Sequence, residues 1–382
     1  MLPHNKKVAF IRADYDCYGG AERFTNFLMS ALVKQGFECH IFAKSWTGQA
    51  SDIQFHKVPG FSIPSVLRHM SFVFFVKREL SRETFDLIQS NERTLSQTIY
   101  RAGDGVHAQW VDLRKKMSNP WRRLLLTISP FHCYMRWLER KMFQSPILQA
   151  IIVNSEMVRK EIVDRFCVAD EKIHTIYNGV DLEVYNPKHR TTVGHDLRRD
   201  LGVGQGEVVA LFVGSGYQRK GVSQILEAMA KIEQPSCLWI VGKDSLPRYQ
   251  KMADRLGIAK RVKFFGKQTN VQPFYAAADF FVLPTLYDPF PSVALEAIAS
   301  GLPVIVTKQC GAAEIISHGQ EGFVLESQAD NAIVGYMQHL FANQTRRSAM
   351  SEKAVLLARK FSGQKTIASF IDLYNCLLGC AI

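Results

Sequence analysis

The sequence predicts an α/β fold of two domains, each a mainly parallel sheet flanked by helices. Three observations carry that expectation. Short apolar strand segments alternate with amphipathic helical segments along the chain, the pattern of βαβ units. A polar, glycine-containing stretch from Lys188 to Gly206 interrupts the alternation and reads as a linker. At 382 residues, 47% hydrophobic and 21% charged, the chain is long enough for two cores. The expected domains are residues 1–190 and 191–362, with a last helix at about 363–382 folding back on the first.

The first domain opens with the strand Val8 to Ile11. A turn containing Gly19 and Gly20 comes next, then a helix on which Phe24, Phe27, Leu28, Ala31 and Leu32 recur at i, i+3, i+4, i+7 and i+8. The paired glycines suit a loop that admits phosphate or, equally, a tight turn needing positive φ. Asp14-Tyr15-Asp16 has the form of a divalent-ion clamp on a diphosphate. Hard cations take more oxygen ligands than this loop offers, so no metal is expected.

Further strands are expected at Glu38 to Ala43, Phe85 to Ser90 and Ala150 to Asn154. Ligands of such sheets bind beyond the C-terminal ends of the strands, where Asn91, Asp104 and Asn154 fall. The stretch YRAGDGVHAQW puts Asp104 and His107 in a glycine-rich turn after a strand. Either could orient or deprotonate an acceptor hydroxyl, and imidazole titrates near neutrality. An Asx-turn and an ordinary surface histidine are the structural alternatives.

Charge is concentrated in one segment. Of a formal net charge of +12, residues 101–150 supply nine Lys or Arg against three Asp or Glu. Pro120 and Pro130 cut residues 110–143 into two or three short helices that mix Trp110, Arg114, Lys115, Lys116, Trp121, Arg122 and Arg123 with Leu and Phe. Basic residues beside Trp and Leu suit an interface with an anionic membrane. A helix pair packed on the domain with solvated cationic heads is the alternative. No nucleic-acid motif accompanies the charge, so no nucleic acid is expected as a partner.

The second domain begins after IHTIYNGVDLEVYNP, a strand running into the turn Asn178-Gly179, with Asp181 able to cap the next turn of chain. The strand Val208 to Val213 leads into GSGYQRKGV and a helix carrying Ile225, Leu226, Met229 and Ala230. Arg219 and Lys220 are thus adjacent cations in a glycine-rich loop, a costly arrangement unless an anion lies between them. Strands Cys237 to Val241 and Val262 to Phe265 come after it. Then comes YDPFPSVALEAIASGLPVIVT, a loop, a short helix and a strand. Its helix should start near Pro291 with Ser292 as N-cap, presenting free N–H groups to an anion. Asp288 before the helix and Glu296 within it, eight positions apart, suit a ligand with hydroxyls at both ends and phosphate between. A sugar nucleotide has that shape. Glu296 on an exposed helix face is the bland alternative.

No run approaches the roughly 20 apolar residues of a membrane span. The start lacks an apolar signal region, and the eight cysteines are scattered without metal or disulfide spacing, so a cytoplasmic setting is expected.

With these residues in hand, the chain resembles the family 4 glycosyltransferases of the GT-B fold over nearly its whole length. Asn178-Gly179-Val180-Asp181, Arg219-Lys220-Gly221, and Asp288 with Glu296 fall in the family's order and spacing. The last pair matches its two-carboxylate motif, except that the first member is usually Glu. The chain is further similar to bacterial lipopolysaccharide core glucosyltransferases through RAGD near 101, KSWTGQ near 44 and VGSGYQRKGV near 213.

The resemblance implies two Rossmann-like domains with parallel sheets facing across a cleft. It implies retaining transfer, with no metal or other cofactor, of a hexose, glucose foremost, from a UDP-sugar. The implied acceptor is a lipid-linked saccharide such as inner-core heptose, at the anionic cytoplasmic face of the inner membrane. Arg219 and Lys220 would hold the diphosphate and Glu296 the ribose hydroxyls, Asp288 would accept from the donor sugar, and Gly19 and Gly20 would admit the diphosphate. Asp in place of Glu at 288 shortens the reach by about 1.5 Å, which bears on the donor sugar. A UDP-sugar epimerase on the same fold and a non-catalytic binder of anionic lipid are the competing functions.

Overall fold

The computed structural model describes residues 6–16, 20–47, 52–61, 65–204, 206–234 and 236–379. The chain divides into two compact units, Met1–Ile176 with Thr366–Ile382, and Tyr177–Lys365.

The first unit is built on seven parallel strands in the order Ile53–Lys57, Glu38–Ala43, Lys7–Ile11, Leu87–Ser90, Ile99–Arg101, Ala150–Val153 and Ile173–Thr175. The chain starts in the middle, runs to one edge, returns and fills the other side. The direction of winding therefore switches between Lys7–Ile11 and Leu87–Ser90, where such sheets leave a crevice. The inner strands are almost wholly buried because both faces are covered, and residues 8–11 and Ala150–Val153 read as unbroken apolar runs. Leu28, Met29 and Leu32 of helix Gly20–Lys34 pack on one face together with Ile367, Phe370 and Tyr374 of helix Gly363–Leu377. Tyr374 donates its hydroxyl to buried Gln89 at 2.6 Å, which ties the last helix to the sheet. Phe72, Val76 and Leu80 of helix Ser65–Leu80 pack in a separate cluster with Ala9, Ile11 and Phe42.

The second unit repeats the plan with six parallel strands, ordered Val262–Gly266, Ser236–Val241, Val208–Val213, Phe280–Leu283, Val304–Thr307 and Gly322–Leu325. Its switch lies between Val208–Val213 and Phe280–Leu283. Both units are Rossmann-like.

Two expectations change here. Residues 188–206 contain no simple linker: they fold as the 3-10 turn Pro187–Thr191 and helix Val193–Asp200, within the second unit. Arg190 and Arg198 both reach the nearly buried Asp279 carboxylate, and Arg198 also donates to the Ala277 carbonyl at 2.8 Å. Helix Val193–Asp200 comes so near that a Cβ on Gly194 would lie 2.4 Å from the Ala276 oxygen. Two cations of residues 188–206 thus anchor the segment to Asp279, while most of its other polar residues face solvent. The second change is the edge strand Ile53–Lys57, whose mostly exposed residues gave no apolar run to read.

Candidate active site

The cations expected to grip phosphate sit where the second sheet switches direction. After Val208–Val213 the chain passes Gly214 and Gly216 into the single turn Tyr217–Lys220, and Gly221 then opens helix Val222–Ala230. Gly221 has φ 82°, and a Cβ there would lie 2.2 Å from the Pro284 oxygen, so only glycine lets this loop meet the next strand's end. The Lys220 stem lies against Gly214, where a Cβ would be 2.7 Å from its Cδ. Gln328 fixes the loop by donating to the Arg219 and Pro284 carbonyls, each at 3.0 Å.

Asp288 is the anion between the two cations. Its Oδ2 lies 3.2 Å from both the Arg219 guanidinium and the Lys220 ammonium, and the residue is only 8% exposed. Arg219 also donates to the Tyr287 carbonyl at 2.8 Å. The Asp288 backbone is pinned on both sides, its N–H donating to the Gln309 carbonyl and its own carbonyl accepting from Gly311. Arg219 and Lys220 are therefore both directed onto one carboxylate, a geometry in which cations grip anionic oxygens.

Helix Ser292–Ala299 carries Glu296. The N-cap position belongs to Pro291, which corrects the expectation for Ser292: it is the first helical residue, and no side chain caps this end. The first-turn N–H groups thus lack a side-chain acceptor, the arrangement that favours an anion. Glu296 is half-buried, not on an exposed face, and accepts from the Tyr275 hydroxyl at 2.9 Å. Burial, ahead of Glu296 itself, raises the Tyr275 pKa well above its ordinary value, so the phenol remains a donor. Asn178 donates to the Phe290 carbonyl at 2.9 Å, bracing the loop before the helix.

In the first unit, polar residues end several strands on the same edge. Arg12 follows Lys7–Ile11, Asn91 follows Leu87–Ser90, Arg101 closes Ile99–Arg101, Asn154 follows Ala150–Val153 and Thr175 closes Ile173–Thr175. Asn91 Oδ1, Asn154 Oδ1 and Thr175 Oγ1 are buried without a hydrogen-bond partner. Of these only Asn91 lies at the switch between Lys7–Ile11 and Leu87–Ser90, and orphaned acceptors of this kind call for donors from a ligand or water. Arg101 lies 4.3 Å from the Phe24 ring centre, and burial pulls its pKa down to about 10.

Asp104 is exposed on the turn after Ile99–Arg101. His107 is not in that turn but begins helix His107–Lys116. Burial, reinforced by Arg93, pulls its pKa down to about 3, which corrects the expectation of a group titrating near neutrality. Its Nε2 lies 3.0 Å from His132 Nδ1, and its N–H donates to Glu139. Glu139, 1% exposed, was missed in the sequence because LERK in a basic helix reads as surface. It accepts from the first two N–H groups of this helix and pairs with Arg93 at 2.8 Å. Gly20 begins helix Gly20–Lys34, while Gly19 lies outside the described residues, as do the side chains of Asp14 and Asp16.

The two units have separate counterparts among known families. Residues 18–184 match the family described as Glycosyltransferase Family 4, and residues 195–356 match Glycosyl transferases group 1. The chain is a family 4 glycosyltransferase of the GT-B fold. The lipopolysaccharide glucosyltransferase WaaG of Escherichia coli K12 is 24% identical over 83% of this chain and 84% of its own. A D-inositol 3-phosphate glycosyltransferase of Corynebacterium glutamicum is 28% identical over 59% of this chain and 56% of its own. A crystal structure of WaaG, described as a glycosyltransferase involved in lipopolysaccharide biosynthesis, matches with TM-score 0.85 and 22% identity, covering 96% of this chain and 99% of that one. Anabaena Alr3699/HepE, crystallised with UDP and glucose, matches with TM-score 0.74 and 18% identity over 97% of this chain and all of that one. These structural likenesses concern the fold.

The basic segment of the glycosyltransferase forms three helices, His107–Lys116, Pro120–Ile128 and Pro130–Phe143. Both prolines open their helices, behind Asn119 and Ser129 as capping side chains. Trp121, Leu124, Leu125 and Ile128 fall at i, i+3, i+4 and i+7 and are all exposed, Trp121 by 77%. A stripe that would normally face a core instead faces outward. Lys116 and Arg122 are exposed beside it, and Lys115 is half-buried. Arg123 donates to the Lys115 and Ser118 carbonyls at the preceding helix end, and Arg114 covers the half-buried Trp110 ring at 5.6 Å. No helix among the described residues is long and apolar enough to cross a membrane.

Proposed function

We propose that this glycosyltransferase moves a hexose, glucose foremost, from a UDP-sugar to a lipid-linked saccharide such as the heptose of a lipopolysaccharide inner core. The observation that carries the reading is the Arg219–Asp288–Lys220 cluster beside the open end of helix Ser292–Ala299. A diphosphate arriving there displaces Asp288 from the two cations, and the freed carboxylate accepts from hydroxyls of the donor sugar. Glu296, oriented by Tyr275, takes the ribose hydroxyls. Arg219 and Lys220 supply the positive charge that a divalent ion gives other transferases, so transfer runs without metal.

Configuration is retained, with the leaving phosphate taking the acceptor's proton. Two facts support a reaction without a side-chain base: Asp104 is an exposed turn residue, and a histidine held near pKa 3 is a poor base. The orphaned acceptors Asn91, Asn154 and Thr175 receive hydroxyls of the acceptor saccharide in the first unit. The exposed stripe of helix Pro120–Ile128, flanked by cations, docks the enzyme on an anionic membrane face as a peripheral protein. WaaG, by its name, acts on the same class of acceptor.

The test is a calorimetric panel of UDP, UDP-glucose, UDP-N-acetylglucosamine, UDP-galactose and GDP-mannose in EDTA, followed by transfer to heptose-terminated lipid. Saturable binding of UDP and one UDP-sugar, lost in Glu296→Ala, is expected. A new sugar nucleotide from donor alone would show an epimerase. Vesicle binding without nucleotide binding would leave only a lipid binder.

A further inference from the structure

A cluster outside the transfer machinery has the makings of a metal site. Among the described residues, His40, His56 and Glu83 bring one ligand atom each within 4.8 Å of one another. His40 is fully buried on strand Glu38–Ala43, and His56 is on the edge strand Ile53–Lys57. Parallel register opposes Phe42 to His56, so the period of two puts both imidazoles on one face of the sheet. His40 Nδ1 and His56 Nε2 lie 2.9 Å apart. Glu83 reaches the pair from the segment after helix Ser65–Leu80.

We propose that these three side chains bind a divalent first-row transition ion, zinc foremost, as a structural site of the first unit. The donor set, two imidazoles and a carboxylate, is one zinc accepts, with water as the fourth ligand. Bonds of about 2.0–2.1 Å at tetrahedral angles need the two nitrogens about 3.3 Å apart with each lone pair turned about 35° off the line joining them, so the rings part by a few tenths of an ångström and tilt on binding. The half-buried His56 and exposed Glu83 leave a path for the ion and its water.

The surrounding contacts are those of a ligand shell. His40 Nε2 lies 3.0 Å from Glu38 Oε1, so the proton resides on Nε2 and the Nδ1 lone pair is left for the ion. Glu38 Oε1 is itself held by Gln54 at 2.9 Å. The Phe42 ring stacks on His56 at 4.4 Å and the Phe85 edge meets His40 at 5.0 Å, fixing both imidazole planes. Lys7 takes Oε2 of Glu83 at 3.3 Å, and the carboxylate's other oxygen remains for coordination. Without an ion, the short approach of the two rings needs a proton between them, donated by His56 Nε2; the ion replaces that hydrogen bond. Bound, it ties the edge strand, which has one strand neighbour, to the segment leading into Leu87–Ser90. All three ligands belong to the first unit, whereas Arg219, Lys220, Asp288 and Glu296 belong to the second, and none of the three is among the residues assigned to donor or acceptor.

The test uses the full chain stripped with EDTA and dialysed, titrated with Co(II) while its visible ligand-field band is followed, then with Zn(II) in competition. One equivalent of tightly held ion and a zinc-dependent rise in melting temperature are expected. His56→Gln and Glu83→Gln, at accessible positions that leave the fold intact by circular dichroism, should each weaken Co(II) binding tenfold or more and abolish the zinc shift. The chain has 11 His and eight Cys, so uptake alone is not enough. Wild-type protein that takes up no stoichiometric Co(II), or variants that both bind as wild type does, would overturn the proposal.

Discussion

Replacing Asp288 by Asn separates the two jobs assigned to it. Its carboxylate lies 3.2 Å from each of two cations. At an effective permittivity of about 20, each contact carries about 5 kcal/mol of Coulomb attraction, of which roughly 1.5–3 kcal/mol survives desolvation. Asn keeps the shape and removes the charge, leaving the half-buried Arg219 and the buried Lys220 together without their shared anion. Stability should fall by about 2–4 kcal/mol, read as a lower urea midpoint. The same released charge should tighten UDP binding by about three- to tenfold, roughly 0.7–1.4 kcal/mol, since phosphate no longer competes with a resident carboxylate. The gain should shrink as salt rises. Sugar transfer in a single-turnover assay should nevertheless fall about a hundredfold or more, because an amide cannot replace the carboxylate that accepts from the sugar. The three readings form one test. If UDP binds more weakly to a folded Asp288→Asn protein, or if transfer proceeds at the wild-type rate, Asp288 is not the ion that phosphate displaces.

Tyr275→Phe removes the hydroxyl that orients Glu296, and should weaken UDP binding several-fold in calorimetry while the fold persists; unchanged affinity would deny Glu296 a part in the nucleotide site. Glu139→Ala leaves the Arg93 Nε–H and two helix N–H groups without their acceptor, and the Arg93 charge without its carboxylate, in a nearly dry place, and should cost about 3–5 kcal/mol by urea unfolding. A loss under about 1 kcal/mol would mean water substitutes there. His107 is held neutral in the fold, its pKa near 3, against about 6.5 in the unfolded chain. The unfolded chain therefore binds more protons between those values, and stability is lost as pH falls from about 6.5 toward 3. His107→Gln should lose less stability than wild type between pH 7.5 and 5, and an equal loss would refute the assignment. Trp121→Ser with Leu125→Ser and Ile128→Ser should weaken sedimentation with anionic phospholipid vesicles at least tenfold, each side chain being worth up to about 1.5–3 kcal/mol when buried; undiminished binding would place the membrane face elsewhere.

These perturbations also show what the sequence could convey. Asp288 and Glu296 were legible because both lie within a few residues of one helix start, where local spacing fixes who is near whom. The buried strands Val208–Val213 and Ala150–Val153 were legible because a strand covered on both faces tends to be continuously apolar. Three features were not, for one shared reason: a long-range partner reverses what composition suggests. Arg190 and Arg198 look like linker charges until Asp279, some eighty positions on, turns them into anchors. Glu139 looks solvated until Arg93 and the start of another helix enclose it. His107 looks like a neutral-pH base until burial and nearby Arg93 remove its proton affinity. The converse holds for Trp121, Leu124, Leu125 and Ile128. Their spacing is that of a core-facing helix, yet the fold leaves them in the open. Local pattern states that a face is apolar; only the tertiary structure tells whether protein already covers it, and here the uncovered face lies on the most basic segment of the chain, which argues for an anionic surface as its partner.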